Sequence, residues 1–242
     1  MNGLLELAVE AHGGLSRWRE LTSIMARLSL GGSVLATTGW ESVLEDVAIT
    51  IDTRVERASL APFTGSDRRG IFMADRVAIE TDRGELLHER FDPRLGFNDH
   101  SVEVAWDALQ VAYFIGCSLW TALTVPFLLT KPGFQIEELE PWAEDGETWR
   151  RLRAVFPARI GTHNPDQVFY FGPDGLLRRH DYDLDLACNI AVADYTDEHQ
   201  VFGGISFPTL RRAVGREPDG TTVPDPALVT IDIEHVSVES VV

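Results

Sequence analysis

Residues 108–130 carry no charged side chain, and this run constrains the fold more than any other feature of the chain. As a helix it is long enough to cross a bilayer, which takes about 20 apolar residues. Its polar content argues for another use. Gln110, Gly116, Ser118, Thr121, Thr124 and Pro126 interrupt it, and acidic residues stand near both ends with no basic cluster on either side, so the flanks of a membrane span are missing. The expectation is a core helix that begins near Trp106 with Asp107 at its head. It stops before Pro126, because proline drives the preceding residue out of the helical region. A second apolar segment, 127–129, follows, and the remaining chain has to wrap both.

That remaining chain reads mostly as strand. It opens with an amphipathic helix, in which Leu4, Leu7, Ala8 and Ala11 share a face opposite Glu6 and Glu10 and Gly13-Gly14 supplies the stop. Ser16 is the expected cap of a short second helix presenting Trp18 and Leu21. Ile24, Ala26, Leu28 and Leu30 then alternate with Met25, Arg27 and Ser29, and alternation returns at Val47, Ile49 and Ile51 and over 70–74, 77–81 and 85–91. Asp82-Arg83-Gly84, Asp145-Gly146, Pro173-Asp174-Gly175 and Gly203-Gly204 read as hairpin turns, and 229–238 as a closing strand. Strands joined by tight turns, with helices only at the start and in the middle, give an antiparallel α+β fold rather than βαβ units. The architecture expected is a strongly curved sheet, a half-barrel, wrapping apolar helices. With 242 residues, 44% of them hydrophobic, and no linker-like stretch, the chain reads as a single domain over 1–242.

Two segments carry a resemblance. Ala11-His12-Gly13-Gly14-Leu15-Ser16-Arg17-Trp18 and residues 195–212, with Gly203-Gly204-Ile205-Ser206-Phe207-Pro208 at their centre, resemble bacterial proteins of the lipoprotein-carrier and lipoprotein-sorting (LolA-like) families. The resemblance implies an open half-barrel that holds an acyl chain or other apolar ligand, with helices lining its concave side.

Charge excludes some partners. The chain has 21 basic and 38 acidic residues, a formal charge of −17, which repels nucleic acid and anionic membrane surfaces alike. Cys117 and Cys188 lie far apart and outside any CxxC spacing, so neither a zinc site nor a disulfide framework is expected. No basic residue precedes the first apolar residues and no small-residue cleavage site follows them, which reads as no secretory signal and a cytoplasmic address.

No GxSxG, P-loop, GxGxxG or HExxH spacing occurs, and neither metal nor cofactor is expected. Asp181, Asp183 and Asp185 imitate the start of a calcium loop, but Leu186 and Val192 stand where glycine and the bidentate glutamate are needed. With a period of two, those aspartates take one face of a strand, expected to be solvated, while Arg178, His180, Tyr182 and Leu184 take the other and turn inward. His180 and Tyr182 thereby become the leading candidates for chemistry, an imidazole beside a phenol. His163, Tyr195 and His199 could join them from neighbouring hairpins. Arg178 or Arg90 could grip a ligand carboxylate if turned inward. Trp106, Tyr113, Phe114, Trp120 and Phe127 are either the lining of an apolar pocket or the filling of a core.

Three readings follow. The first is a module binding a small apolar or amphipathic molecule in the concave cavity. The second is a cofactor-free isomerase, cyclase or lyase, which requires a histidine poised near neutrality. The third is an interaction domain whose apolar segment meets a partner in an obligate oligomer. Oligomeric state is left open by the sequence.

Overall fold

Two antiparallel meanders, joined along a central seam, make one open sheet. The computed structural model describes residues 2–40, 44–97 and 104–241. The first meander comprises β1 (Leu21–Gly31), β2 (Val47–Asp52), β3 (Arg57–Ala61), β4 (Arg68–Met73), β5 (Arg76–Thr81) and β6 (Leu86–Phe91). The second comprises β7 (Gln135–Glu144), β8 (Glu147–Val155), β9 (Asp166–Phe171), β10 (Leu177–Leu184), β11 (Ile190–Phe202) and β12 (Ile205–Arg216). A short β13 (Thr222–Val223) pairs with β12, and β14 (Val229–Ser240) lies between β12 and β1. The fourteen strands therefore run 6-5-4-3-2-1-14-12-11-10-9-8-7 across the sheet, with β13 beside this path.

The inward positions are those that alternation assigns. Ile24, Ala26, Leu28 and Leu30 of β1 and Val47, Ile49 and Ile51 of β2 are buried. Asp145-Gly146 and Gly203-Gly204 all have positive φ, which matches the right-handed twist of the strands they connect. The two sheet edges carry charge: β6 includes His88, Glu89 and Arg90, while β7 includes Glu137, Glu138, Glu140, Glu144 and Pro141. Charge and proline at an edge discourage pairing with another chain.

The long uncharged run becomes α4 (Ala108–Thr124), packed on β3, β4, β5 and β6, followed by a 3-10 turn over Phe127–Thr130. Asp107 is its cap: its Oδ1 accepts the Gln110 N–H and Gln110 Oε1 accepts the Asp107 N–H, both at 2.9 Å, a complete capping box. Gly116 permits the close approach to the sheet, since a Cβ there would stand 2.1 Å from Phe72 Cγ. The helix is covered by its own chain, with Val111, Phe114, Leu119, Trp120 and Leu123 all buried. The interaction-domain reading loses its basis, because the segment that was to meet a partner is internal. No helix among the described residues is long and apolar enough to cross a membrane.

Two local expectations are corrected. In α1 (Gly3–Ala11) the buried face is Leu4, Leu5, Ala8 and Val9, with Leu7 38% exposed. The stripe is rotated because α1 packs on β8 and the 127–130 turn. In α2 (Leu15–Glu20) the cap is Gly14 rather than Ser16, and Leu21 already belongs to β1. Gly13 and Gly14 both have positive φ, and a Cβ on Gly13 would meet the Gly204 carbonyl at 2.2 Å. A short α3 (Ser33–Thr37) also follows β1.

The two segments that carry the resemblance meet in space. Ser206 N–H donates to the His12 carbonyl at 3.0 Å, and Arg17 Nε donates to the Gly203 carbonyl at 2.7 Å. They fasten the N-terminal helices to the β11–β12 hairpin.

Candidate functional site

Strand register assembles a polar patch inside the apolar core. His180 of β10 pairs with Phe169 of β9 and Asp194 of β11, Asp194 with Ala213 of β12, and Ala213 with Val229 of β14. This row faces α4. Tyr182 lies two residues along β10, and Arg211 two residues along β12 from Ala213. Opposite them α4 presents Cys117, Ser118 and Thr121, and the loop between β8 and β9 contributes Thr162 and His163. Together these residues enclose a cavity of about 30 Å³, room for one or two water molecules.

Hydrogen bonds fix the protonation of both imidazoles. Gln167 Nε2 donates to Thr162 Oγ1 and to the Asn164 carbonyl, each at 2.6 Å, which leaves Gln167 Oε1 to accept from His180 Nε2 at 2.8 Å. His180 therefore carries its proton on Nε2. Ser118 Oγ donates to the Phe114 carbonyl at 3.0 Å and lies 2.7 Å from His163 Nε2. Its single proton is spent on the carbonyl, so His163 Nε2 is the donor and Nδ1 a bare acceptor. That Nδ1 is buried without a partner, as are Thr121 Oγ1 and Arg211 Nη1. Three of the six such side-chain atoms among the described residues thus belong to the wall of one cavity. Native proteins leave few buried polar atoms unpaired, so a cluster of them marks a place where something polar is to be received.

Burial holds the site neutral apart from one ion pair. It pushes His163 down to about 3, helped by the Arg94 guanidinium, and His180 well below its ordinary value, helped by Arg211. Tyr182 is pushed well up by burial and by Asp194. Asp194 is raised by burial, against which Arg211 pulls it down through direct hydrogen bonds, Nε to Oδ2 at 3.0 Å. His199 falls to about 4, also mainly through burial. None of these histidines is poised near neutrality.

The other sequence candidates lie elsewhere. Tyr195 sits on the opposite face of the sheet, where it meets the fully buried Arg179. Arg179 binds Asp181 through two hydrogen bonds of 2.6 and 3.0 Å, bonds Glu144 at 2.9 Å, and lies over the rings of Tyr170, Tyr195 and Trp142. The aspartates are accordingly no solvated face. Asp181 is buried, Asp183 pairs with Arg216 at 3.0 Å and Asp185 with Arg94 at 2.8 Å. Arg178 points away from the cavity and pairs with Asp174 at 2.7 Å, and Arg90 pairs with Asp107 at 2.6 Å. His199 stands beside His12, ring centroids 6.0 Å apart.

The aromatic candidates do not line one pocket. Trp120 is fully buried and donates Nε1–H to the Asp52 carbonyl at 3.1 Å, Trp106 packs on Phe97 and Phe114, and Phe127 stacks on Trp18. Phe114 touches the cavity group, 4.8 Å from the His163 ring, and Tyr113 reaches it through a hydrogen bond with Cys117. The wide apolar cavity expected on the concave side is filled, by α4 over the first meander and by α1 with the 127–130 turn over the second.

Larger free space lies next to the polar cavity. A cleft of about 510 Å³ is bordered by Arg94, Leu95, Tyr113, Phe156 and Ile160, and Thr162 belongs to both walls. Arg94 fastens the dividing segment, donating to the Thr162 and His163 carbonyls and to Asp185. Sequence reasoning missed Ser118, Gln167, Asp194 and Arg211. A lone aspartate inside the apolar run 190–195 was the available signal for Asp194.

No protein-family model and no curated protein matches the chain. Among solved structures it is similar to a LolA superfamily protein from Nitrosomonas europaea, at 7% identity over 99% of this chain and 93% of that one, with a TM-score of 0.51. It is also similar to a putative outer membrane lipoprotein-sorting protein domain from Vibrio parahaemolyticus, at 9% identity over 98% and 93%, with a TM-score of 0.53. The likeness is one of fold, and it spans nearly the whole chain.

Proposed function

We propose that this chain is a binding protein for a small amphipathic molecule, held where the 510 Å³ cleft adjoins the polar cavity at Thr162. The cleft has the volume of a small-molecule site and mixes apolar walls with few polar groups. The observation that carries the reading is the gathering of Thr121 Oγ1, His163 Nδ1 and Arg211 Nη1, two donors and an acceptor without partners, around the cavity next to it. A hydroxyl, amide or carboxyl group on the ligand supplies what those atoms lack. The shared fold supports an apolar component, since the Vibrio domain bears a name tied to lipoprotein sorting.

Binding is favoured over catalysis because general acid–base work needs a group that titrates near the operating pH. His163, His180 and His199 are all held far below that range. These rings serve as fixed donors and acceptors, which suits recognition.

The test is native mass spectrometry of protein purified without detergent, paired with uptake of the neutral dye N-phenyl-1-naphthylamine. A retained small molecule or dye uptake is expected, weakened at least tenfold when the exposed cleft residue Ala158 is changed to Trp. His180→Gln keeps a side chain able to donate to Gln167 in place of the ring N–H, so uptake should persist and change by less than the tenfold of Ala158→Trp. An apo mass with no dye uptake would overturn the proposal.

A further inference from the structure

A separate cleft of about 340 Å³ opens between α2, the start of β1, the turn after β2 and the segment 127–132. Its floor is apolar: Trp18 lies flat on Phe127, with ring centroids 4.3 Å apart and planes within 4°, and Leu21 is buried beside them. Its walls include three cations, Arg19, Arg54 and Lys131.

The charge pattern around this cleft departs from the rest of the molecule. Acidic residues outnumber basic ones by 38 to 21, and among the described residues 14 of the Arg and Lys side chains stand in ion pairs with carboxylates. Of the seven that do not, three border this cleft. A fourth, Arg159, donates to the carbonyl of Pro132 in the cleft wall.

Lys131 Nζ donates to the carbonyls of Thr53 and Arg54 at 3.3 and 2.9 Å and stands 5.5 Å from the centroid of the Trp120 ring, leaving a third N–H unspent. Asp52 and Glu56 stand near enough to attract this charge, but neither forms a direct ion pair with it. Asp52 Oδ1 accepts the backbone N–H groups of Arg54 and Val55, and burial lifts Glu56 to about 8, so it is mostly protonated at neutral pH. Unpaired cations gathered on an acidic protein repel one another unless an anion joins them. Here they surround an apolar floor.

We infer that this cleft binds the monomer of an anionic amphiphile, its apolar chain lying along Trp18 and Phe127 and its carboxylate or phosphate head set among Arg19, Arg54 and Lys131. The site is independent of the cleft beside Arg94, and its volume lies at the lower end of the range for small-molecule sites. Burial of an apolar chain supplies the affinity and the cations supply the choice of head group.

The experiment is isothermal titration calorimetry of the full chain with dodecanoate, dodecyl phosphate and dodecyltrimethylammonium, each below its micelle concentration. At least one anion is expected to bind, more weakly as salt is raised, and the better of the two identifies the head group. The cationic amphiphile should not bind. Arg19→Gln/Arg54→Gln, two exposed side chains without ion-pair partners among the described residues, should fold like the parent by circular dichroism and weaken the anion at least tenfold. It should leave naphthylamine uptake unchanged, while Ala158→Trp leaves dodecanoate binding unchanged. Failure of both anions to bind, equal binding of the cation, unchanged affinity in the double variant, or binding only to anionic phosphatidylglycerol vesicles would each overturn the inference.

Discussion

Gly116 shows how much a single missing Cβ decides. Phe72 occupies the space a methyl group would need, so Gly116→Ala must push α4 off β4 or turn Phe72 out of its rotamer. The expected cost is about 1–3 kcal/mol, read as a lower urea midpoint with an unchanged slope. Arg179 illustrates a different dependence. Arg179→Met takes the close counter-charge from buried Asp181 and leaves it only Arg216 at 3.7 Å, and a destabilisation of up to about 3–5 kcal/mol is expected in the same measurement. Glu56 works against the fold at neutral pH. Its folded value of about 8 lies above the ordinary 4.5, so its contribution is present below 4.5 and is lost as pH rises toward 8. Glu56→Gln should therefore gain on the parent across that window, by on the order of 2 kcal/mol at pH 7. At this scale alternation correctly turned His180 and Tyr182 inward. It misjudged Asp181, because a period of two says which residues share a face and nothing about what covers the other one.

Among the elements, α4 was the most legible. Absence of charge, a capping aspartate and a following proline are local signals, and the helix runs from Ala108 to Thr124 between them. Asp107→Ala removes the capping box, and a loss of about 1 kcal/mol is expected by urea unfolding. The exposed pairing with Arg90 adds little to that figure. The phase of α1 was not legible, since four apolar positions allow two overlapping stripes and the choice belongs to the surface beneath, β8 and the 127–130 turn. The candidate site was half legible for the same reason. His163, His180 and Tyr182 could be named one by one, whereas Ser118, Gln167, Asp194 and Arg211 become a site only through the pairing of β9 to β12 and the placement of α4 above them.

For the whole molecule, the resemblance at the two ends was informative about shape and silent about chemistry. The stretches that carry it are the contacts that dock α1 and α2 against the β11–β12 hairpin. The interior they help enclose holds four histidines, His12, His163, His180 and His199, all shifted below 6.5 chiefly by burial. A lowered histidine value means that the unfolded chain takes up protons first. Stability is then fully present above 6.5 and falls as pH drops toward the folded values, by up to about 1.4 kcal/mol per pH unit for each ring. Glu56 acts with the opposite sign over the same window, so thermal scans use Glu56→Gln, whose midpoint should fall between pH 7 and pH 4.5, steepest below 6.5. A flat profile would mean the rings are solvated in the folded protein.

The seam between the meanders has a consequence for how the chain folds. β1 pairs with β14 from Leu21 opposite Ser240 to Gly31 opposite Thr230, so one of the first strands made on the ribosome waits for one of the last. Every other adjacent pair in the two meanders can close as a local hairpin while synthesis continues, but this one carries a long loop-closure cost. Folding should be limited by joining two preformed half-sheets, and a β1–β14 substitution such as Ala26→Gly should slow refolding more than an equally destabilising change at the β5–β6 edge.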